Sequence, residues 1–478
     1  MKKKIKYFYL FLMLLFSVQL AAKYDVKSNY VIVVSKKTSE EWKEVVEALK
    51  TKHKAKVIVY KSNVAKTLTQ LKAEFPRYTC FVAQKEEANR DFVAKIHRLT
   101  REFDSDPYTD TFWGILTGFN KENALTIAKQ SAPLEVKKVA GGTQFAIDKC
   151  VEGFWHDELV KGKKVEKTKN KVTETIGDAD STKALVDSLN VYKADLFITS
   201  GHATPRNWQI GFRYKNGYFT SHNGVLTGED TKKNKYKLAS PNPKVYMPVG
   251  NCLMGCIDGP DAMALAWLNS AGVYQMFGYT VPSGYGFGGW GCLDYFVEQP
   301  GRYTFTEAFF ANQHALIYRL QKYFPEVASM ITPLGRYIRV ATVVDNKIGL
   351  KPFDGTGLLY DRDVLAYYGD PAWVARMAKA PCSYGQSLTI KDNVYTFEIQ
   401  PQLGDKSFDP VDTNGSQRGY RPIVEFLPYR LKDIKIIEGQ DLKPVITDDF
   451  ILIPNPRKCD PKMSYKIRFT ASKIVKNK

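Results

Sequence analysis

Apolar positions recur along this chain in two rhythms, and the switch between them divides it. From Asn29 onward, short β-branched runs alternate with stretches whose apolar residues fall three and four apart. Val31, Ile32, Val33 and Val34 form the first run. Trp42, Val45, Val46 and Leu49 then mark one face of a helix, announced by Thr38 and Glu41 at capping-box spacing. The alternation goes on to predict strands over 57–60 and 78–82, with helices carrying Leu68, Leu71 and Phe75, then Phe92, Ile96 and Leu99. A second set follows, with strands over 113–116, 136–140, 195–200, 245–249 and 273–279 and helices over 122–129 and 261–269. Strands that take turns with helices pair in parallel, because a parallel neighbour needs a crossover long enough to hold a helix.

Beyond Ala380 the helical spacing stops. Strand-like runs over 387–390, 394–399, 423–426, 434–437, 450–453 and 465–469 read as a β-sandwich. The expected fold class is α/β, a parallel-sheet α/β/α sandwich in two subdomains (23–105 and 106–379), followed by a β-sandwich domain over 380–478.

The chain has 478 residues, with 69 Lys and Arg against 50 Asp and Glu, a net charge of +19. Its 44% hydrophobic content can bury a sizeable core and excludes disorder, collagen and coiled coil. The basic clusters at 161–171 and 232–237 come with no nucleic-acid motif and read as solvated loops, so nucleic acid is not an expected partner. Residues 1–22 join a Lys-rich start, an apolar stretch and small residues near Ala22, which reads as a secretory signal peptide. Removing its Lys2, Lys3, Lys4 and Lys6 leaves +15. No later run reaches the ~18 apolar residues of a membrane span. A secreted, periplasmic or cell-surface protein without an integral span is expected. Seven cysteines is an odd number, so at least one stays unpaired within the chain. Cys382 and Cys459, near the two ends of the β-sandwich, could bridge.

In parallel sheets, functional groups gather past the carboxyl ends of strands. The 195–200 run ends in Gly201-His202-Ala203 and the 245–249 run in Gly250-Asn251-Cys252. If these strands are parallel neighbours, His202 and Cys252 emerge at one sheet edge, and a thiol beside an imidazole is a nucleophile with a general acid/base. Gly201, Ala203 and Gly250 would let backbone N–H groups approach an oxyanion. The bland readings are a buried inert cysteine and a structural histidine. A zinc reading of His202, Cys252 and Cys256 lacks a fourth ligand. Gly284-x-Gly286-x-x-Gly289 matches the dinucleotide fingerprint formally but opens no first βαβ unit, and reads as a flexible substrate-lining loop. No cofactor or metal is expected for catalysis, and structural calcium is not indicated.

Gly201 to Trp208, with its Gly-His pair and later Trp, resembles the histidine motif of gingipain-type cysteine peptidases, a branch of the caspase-like clan. Val249-Gly250-Asn251-Cys252-Leu253-Met254-Gly255 is similar to their nucleophile motif. Tyr368-Gly369-Asp370-Pro371-Ala372-Trp373 resembles the segment closing their catalytic domain, and 380–478 resembles their immunoglobulin-like domain. The 109–129 stretch is similar to the strand and helix opening their second subdomain. The resemblance implies that Cys252 attacks the scissile carbonyl and His202 protonates the leaving amine. It implies too that the amides of Cys252 and Ala203 hold the oxyanion, and that Trp208, Tyr279, Thr280, Val281 and Trp290 line the substrate site. Cys256 comes after the family's Gly and reads as structural, with rival nucleophile as its alternative role.

Three positions depart from the pattern. Ala203 stands where the family favours Gly, Ala140 stands where its histidine-orienting acid would be, and Pro248 suggests a bulge before Cys252. Asp148 and Glu152 lie shortly downstream and could orient His202 or face a basic substrate side chain, against the blander reading of each as part of a solvated loop. The aromatics and glycines of 279–290 suggest an apolar or shallow pocket without a strict Arg or Lys preference. The expected function is a secreted cysteine endopeptidase acting on protein or peptide substrates. The alternatives are an inactive relative serving as a surface or periplasmic binding or adhesion protein, and a periplasmic carbohydrate- or peptide-binding protein. The 161–171 loop is the expected place for any activating cut.

Overall fold

The computed structural model describes residues 29–474 except Asn170 and Asn346, so the signal-peptide reading falls outside the described residues. Its main sheet has twelve strands, in two sets, each with a parallel core. The first set is ordered Lys56–Tyr60, Tyr30–Ser35, Tyr78–Val82, Phe112–Leu116. The second is ordered Leu365–Gly369, Val273–Tyr279, Lys244–Pro248, Leu196–Thr199, Lys138–Gly141, Glu152–His156, followed by a hairpin of Lys163–Thr168 and Lys171–Ile176. Within it, Val273–Tyr279 through Glu152–His156 are mutually parallel, and Leu365–Gly369 is antiparallel to its neighbour. The seam between the sets is one rung wide, Tyr368↔Ile115. The Phe112–Leu116 strand, read from sequence with the second set, pairs along its whole length with Tyr78–Val82 of the first.

Helices cover both faces, which is why Tyr30–Ser35, Phe112–Leu116, Leu196–Thr199, Lys244–Pro248, Val273–Tyr279 and Leu365–Gly369 are buried at every position. Asp370, one residue past the last of these, helps close the seam. Its carboxylate accepts from Tyr30 Oη at 2.9 Å, His53 Nε2 at 2.7 Å and Lys52 Nζ at 2.8 Å. Burial pushes this carboxyl up, but the His53 and Lys52 contacts outweigh it and hold it below the ordinary range.

Several local expectations need correction. Ser35, not Thr38, caps the first helix, accepting the Thr38 N–H at 3.1 Å; that helix ends at Glu41, and Lys43–His53 is a separate one. The irregularity expected at Pro248 lies instead between Lys244 and Val245. Pro248 closes its strand opposite Thr199, beyond the last pair with Val273–Tyr279, where its missing N–H breaks no ladder. The basic 161–171 stretch is not simply a loop: Lys163–Thr168 is the penultimate strand, paired with the edge strand that Lys171 opens. Val165 points inward, Lys167 donates to the Cys150 carbonyl at 2.6 Å, and Lys163 and Lys164 pair with Glu174 and Glu166.

The helices Phe287–Phe296 and Phe305–Tyr323 escape the periodicity because they are buried nearly all round, leaving no polar face to mark the turns. The C-terminal domain pairs a four-stranded sheet (Tyr384–Lys391, Val394–Pro401, Lys466–Lys473, Leu431–Glu438) with a three-stranded one (Ile423–Phe426, Phe450–Ile453, Val445–Ile446). Alternate residues of the smaller sheet serve two cores. Ile423, Ile451 and Ile453 pack into the sandwich, while Val424, Phe426, Phe450 and Leu452 pack into the α/β core. Cys382 and Cys459 do not bridge; all seven cysteines are free thiols.

Candidate functional site

Leu196–Thr199 and Lys244–Pro248 lie side by side, paired in parallel from Leu196↔Val245 to Thr199↔Pro248. His202 and Cys252 therefore leave the sheet three and four residues past the same rung. Between them sits Asn251, fully buried. Its Oδ1 accepts from Thr199 Oγ1 at 2.6 Å and its Nδ2 donates to the Gly201 carbonyl at 3.1 Å. One side chain thus ties the cysteine turn to the histidine turn. Gly201 has φ +96°, a conformation that suits glycine and turns the chain out of its strand.

The cysteine turn is strained and heavily braced. Leu253 has φ +58°, unusual for a bulky residue and a feature that concentrates at functional sites. Its N–H donates to the Val281 carbonyl at 3.1 Å, and the Gly255 N–H donates to the Tyr279 carbonyl at 2.9 Å. Gly255 must be glycine, because a Cβ there would lie 2.2 Å from the Gly278 carbonyl oxygen. The Cys252 thiol is half-buried, accepts the Ser283 N–H at 3.2 Å and lies 3.4 Å from Ser283 Oγ. Ser283 Oγ in turn donates to the Gly250 carbonyl at 2.8 Å. Among the described residues, the N–H groups of Cys252 and Ala203 have no internal acceptor, and Ala203 keeps negative φ.

His202 is exposed, and its ring centroid lies 4.7 Å from that of Phe212. No hydrogen bond joins it to Cys252 or to a carboxylate among the described residues. Ala140 is fully buried in its strand. Asp148 and Glu152 are at the wrong end of the sheet. Glu152 opens its strand opposite Lys138, at the amino ends, and exposed Asp148 precedes it. Neither can orient a histidine that follows a carboxyl end.

A buried acid that no sequence pattern marks stands at the correct end, Glu158, just past Glu152–His156. Its Oε2 accepts the Gln144 N–H and its Oε1 accepts from Asn414 Nδ2, both at 3.2 Å. Burial raises its carboxyl against hydrogen bonds from Thr143 and Asn414. Its backbone carbonyl accepts the Phe212 N–H at 2.6 Å and so supports the ring beside His202.

Most of the expected substrate-lining residues are structural. Trp208 is fully buried, with Nε1 donating to the Ser200 carbonyl at 2.7 Å. Tyr279 donates to Asp361 at 3.0 Å, Thr280 donates to the Val364 carbonyl at 2.8 Å, and Val281 braces Leu253. All three are buried. Trp290 is buried too, but against the cysteine turn: its indole lies so close to Gly250 that a Cβ there would come 2.8 Å from Nε1. The 284–289 glycines form no flexible loop. Gly286 (φ +87°) starts the Phe287–Phe296 helix, and Gly289 lets that helix touch the Val249 carbonyl, 2.2 Å from where a Cβ would stand. Opposite, the Tyr337 hydroxyl fills the space over Gly284, and its ring stacks on Tyr360 at 4.3 Å.

Cys256 is less suited to attack. Burial and then Asp258 push its thiol up, and its N–H closes a turn onto the Leu253 carbonyl. His202, Cys252 and Cys256 are not gathered at metal-binding distance. The acidic group that is, among the described residues, comprises Asp104, Asp106 and Asp110, ahead of the Phe112–Leu116 strand.

No family model matches the chain, and no curated protein matches it. Among solved structures it is similar to the Arg-specific cysteine proteinase gingipain R, with a TM-score of 0.46 and 11% identity, covering 90% of this chain and 92% of that one. No residue correspondence follows from an overlay this loose.

Proposed function

We propose that this chain is an exported cysteine endopeptidase with Cys252 as nucleophile and His202 as its acid/base partner. The observation that carries the reading is the shared rung Thr199↔Pro248, which delivers thiol and imidazole to one sheet edge. The braced turn at Leu253 and the unoccupied amides of Cys252 and Ala203 support it.

In the reaction, the Cys252 thiol passes its proton to His202 as its sulfur bonds to the scissile carbonyl carbon and the carbonyl electrons move to oxygen, where the two amides stabilise the oxyanion. Its collapse breaks the C–N bond, and the amine leaves with that proton from His202. Water then gives a proton to His202 as its oxygen bonds to the acyl carbon; the C–S bond breaks, the acid product leaves, and His202 returns the proton to sulfur. Among the described residues no carboxylate hydrogen-bonds to His202, and the Phe212 ring lies beside it, so the reading is a dyad. That same bare imidazole favours a second reading, a peptidase-like binding protein that does no chemistry.

The two separate on purified mature protein given casein and a fluorogenic peptide panel varied at the residue before the cut. Cleavage blocked by iodoacetamide supports the peptidase. Intact casein and peptides support the binding protein. A preference for Arg or Lys above about a hundredfold would contradict the apolar or shallow pocket expected of the 279–290 segment.

A further inference from the structure

The C-terminal domain sends one loop across the candidate site. Gly415 (φ +94°) lies against the face of Trp290, 2.2 Å from ring carbon if it carried a Cβ, while Gly250 of the cysteine turn lies against the indole Nε1 edge. Trp290 is thus wedged between the two domains' backbones. Ser416 Cβ covers Gly286. On the other side of the site, Asn414 Nδ2 reaches Glu158 Oε1 at 3.2 Å, the Gln144 carbonyl at 3.3 Å and Thr143 Oγ1 at 3.5 Å. Gln144 Nε2 donates to Asp412 Oδ1 at 3.3 Å. The loop therefore touches both flanks of the edge from which His202 and Cys252 emerge, and Thr413, Gly415 and Ser416 at its tip are exposed.

Its base is fixed by a buried ion network. Arg418 pairs with Asp294 at 2.6 Å and with Glu298, and holds the Asn414 carbonyl at 2.7 Å. Arg421 binds the other oxygen of Asp294 at 2.8 Å, and the Gly419 N–H joins it at 3.2 Å. Asp294 belongs to the same helix as Trp290. A loop braced this way is a wall of the site and not a flap.

We propose that residues 412–416 of the C-terminal domain form one wall of the substrate cleft and set how bulky a peptide segment can reach Cys252. The inference rests on the peptidase reading, yet it can be tested apart from it. The variants are Ser416→Trp and Thr413→Trp in the full chain, with Lys391→Trp at the far hairpin of the same domain as control. Two readouts are taken: kinetics on fluorogenic peptides, and alkylation at Cys252, followed by peptide mapping, with iodoacetamide and with a bulky maleimide. The expected result is a rise in KM of at least about fivefold with kcat within about twofold, slower maleimide labelling, unchanged iodoacetamide labelling, and no effect of the control. If no form cleaves peptide but maleimide labelling still slows, the wall stands and the peptidase reading falls. Unchanged KM and unchanged labelling in both variants would overturn the proposal.

Discussion

Asn251 Nδ2 donates to the Gly201 carbonyl at 3.1 Å, so the residue before the candidate nucleophile holds the residue before the candidate imidazole. Asn251→Ala leaves that part-buried carbonyl and the buried Thr199 hydroxyl short of a partner, although Thr199 keeps Tyr246 at 2.9 Å. Stability should fall by about 1–3 kcal/mol, read by denaturant unfolding. If the bond aligns the two turns, peptide cleavage should fall at least tenfold under conditions where the variant remains folded.

Gly289 allows a helix to rest on the Val249 carbonyl, three residues before Cys252, where a Cβ would come within 2.2 Å. Gly289→Ala should cost about 1–3 kcal/mol by overpacking. Gly259, whose Cβ would meet nothing nearer than Arg206 Nη2 at 3.6 Å, is the control. Equal melting temperatures for the two variants would refute this account of the helix contact.

Asp294 receives Arg418 and Arg421 in a buried network between the domains. Removing one partner strands the others, so Asp294→Ala should cost about 3–5 kcal/mol. Limited proteolysis should then cut within 409–421 faster than in the parent.

Three buried histidines set an acid limit. Burial lowers His97 and His156 to about 4 and His314 to about 3. Each stays neutral in the folded chain but takes a proton near its ordinary pKa of about 6.5 once unfolded. Their contribution is therefore complete above about pH 6.5 and is lost as pH falls toward those values. Asp361, raised by burial to about 7, acts in the opposite sense, and its contribution is lost as pH rises through that value. His314 stacks on Phe450 at 4.4 Å, so His314→Phe keeps the ring and removes the titration. The variant should lose less stability than the parent between pH 6.5 and 4; parallel curves would exclude the mechanism.

The parts legible in the sequence were those with a local signature. Strands such as Val273–Tyr279 and Ile423–Phe426 fell where β-branched and aromatic runs placed them, and the His202 and Cys252 turns were marked by small residues after such runs. The unread parts depend on contacts distant in the chain. Nothing near Phe287–Phe296 shows a polar face, because both domains bury it. Tyr279 and Trp208 look like exposed aromatics beside a motif, yet long-range bonds to Asp361 and Ser200 turn them inward. Glu158 gave no signal, since its partner Asn414 lies 256 residues away. Asn251 could have been found: a polar side chain between Gly250 and Cys252 at a strand end has few places to go except across to the neighbouring turn.

Casein hydrolysis by the mature protein, its Cys252→Ala variant and its Cys256→Ala variant tests whether Cys252 carries the chemistry. Cleavage is expected from the parent and from Cys256→Ala to within a fewfold, and none above background from Cys252→Ala. Cleavage that survives in Cys252→Ala would contradict that role.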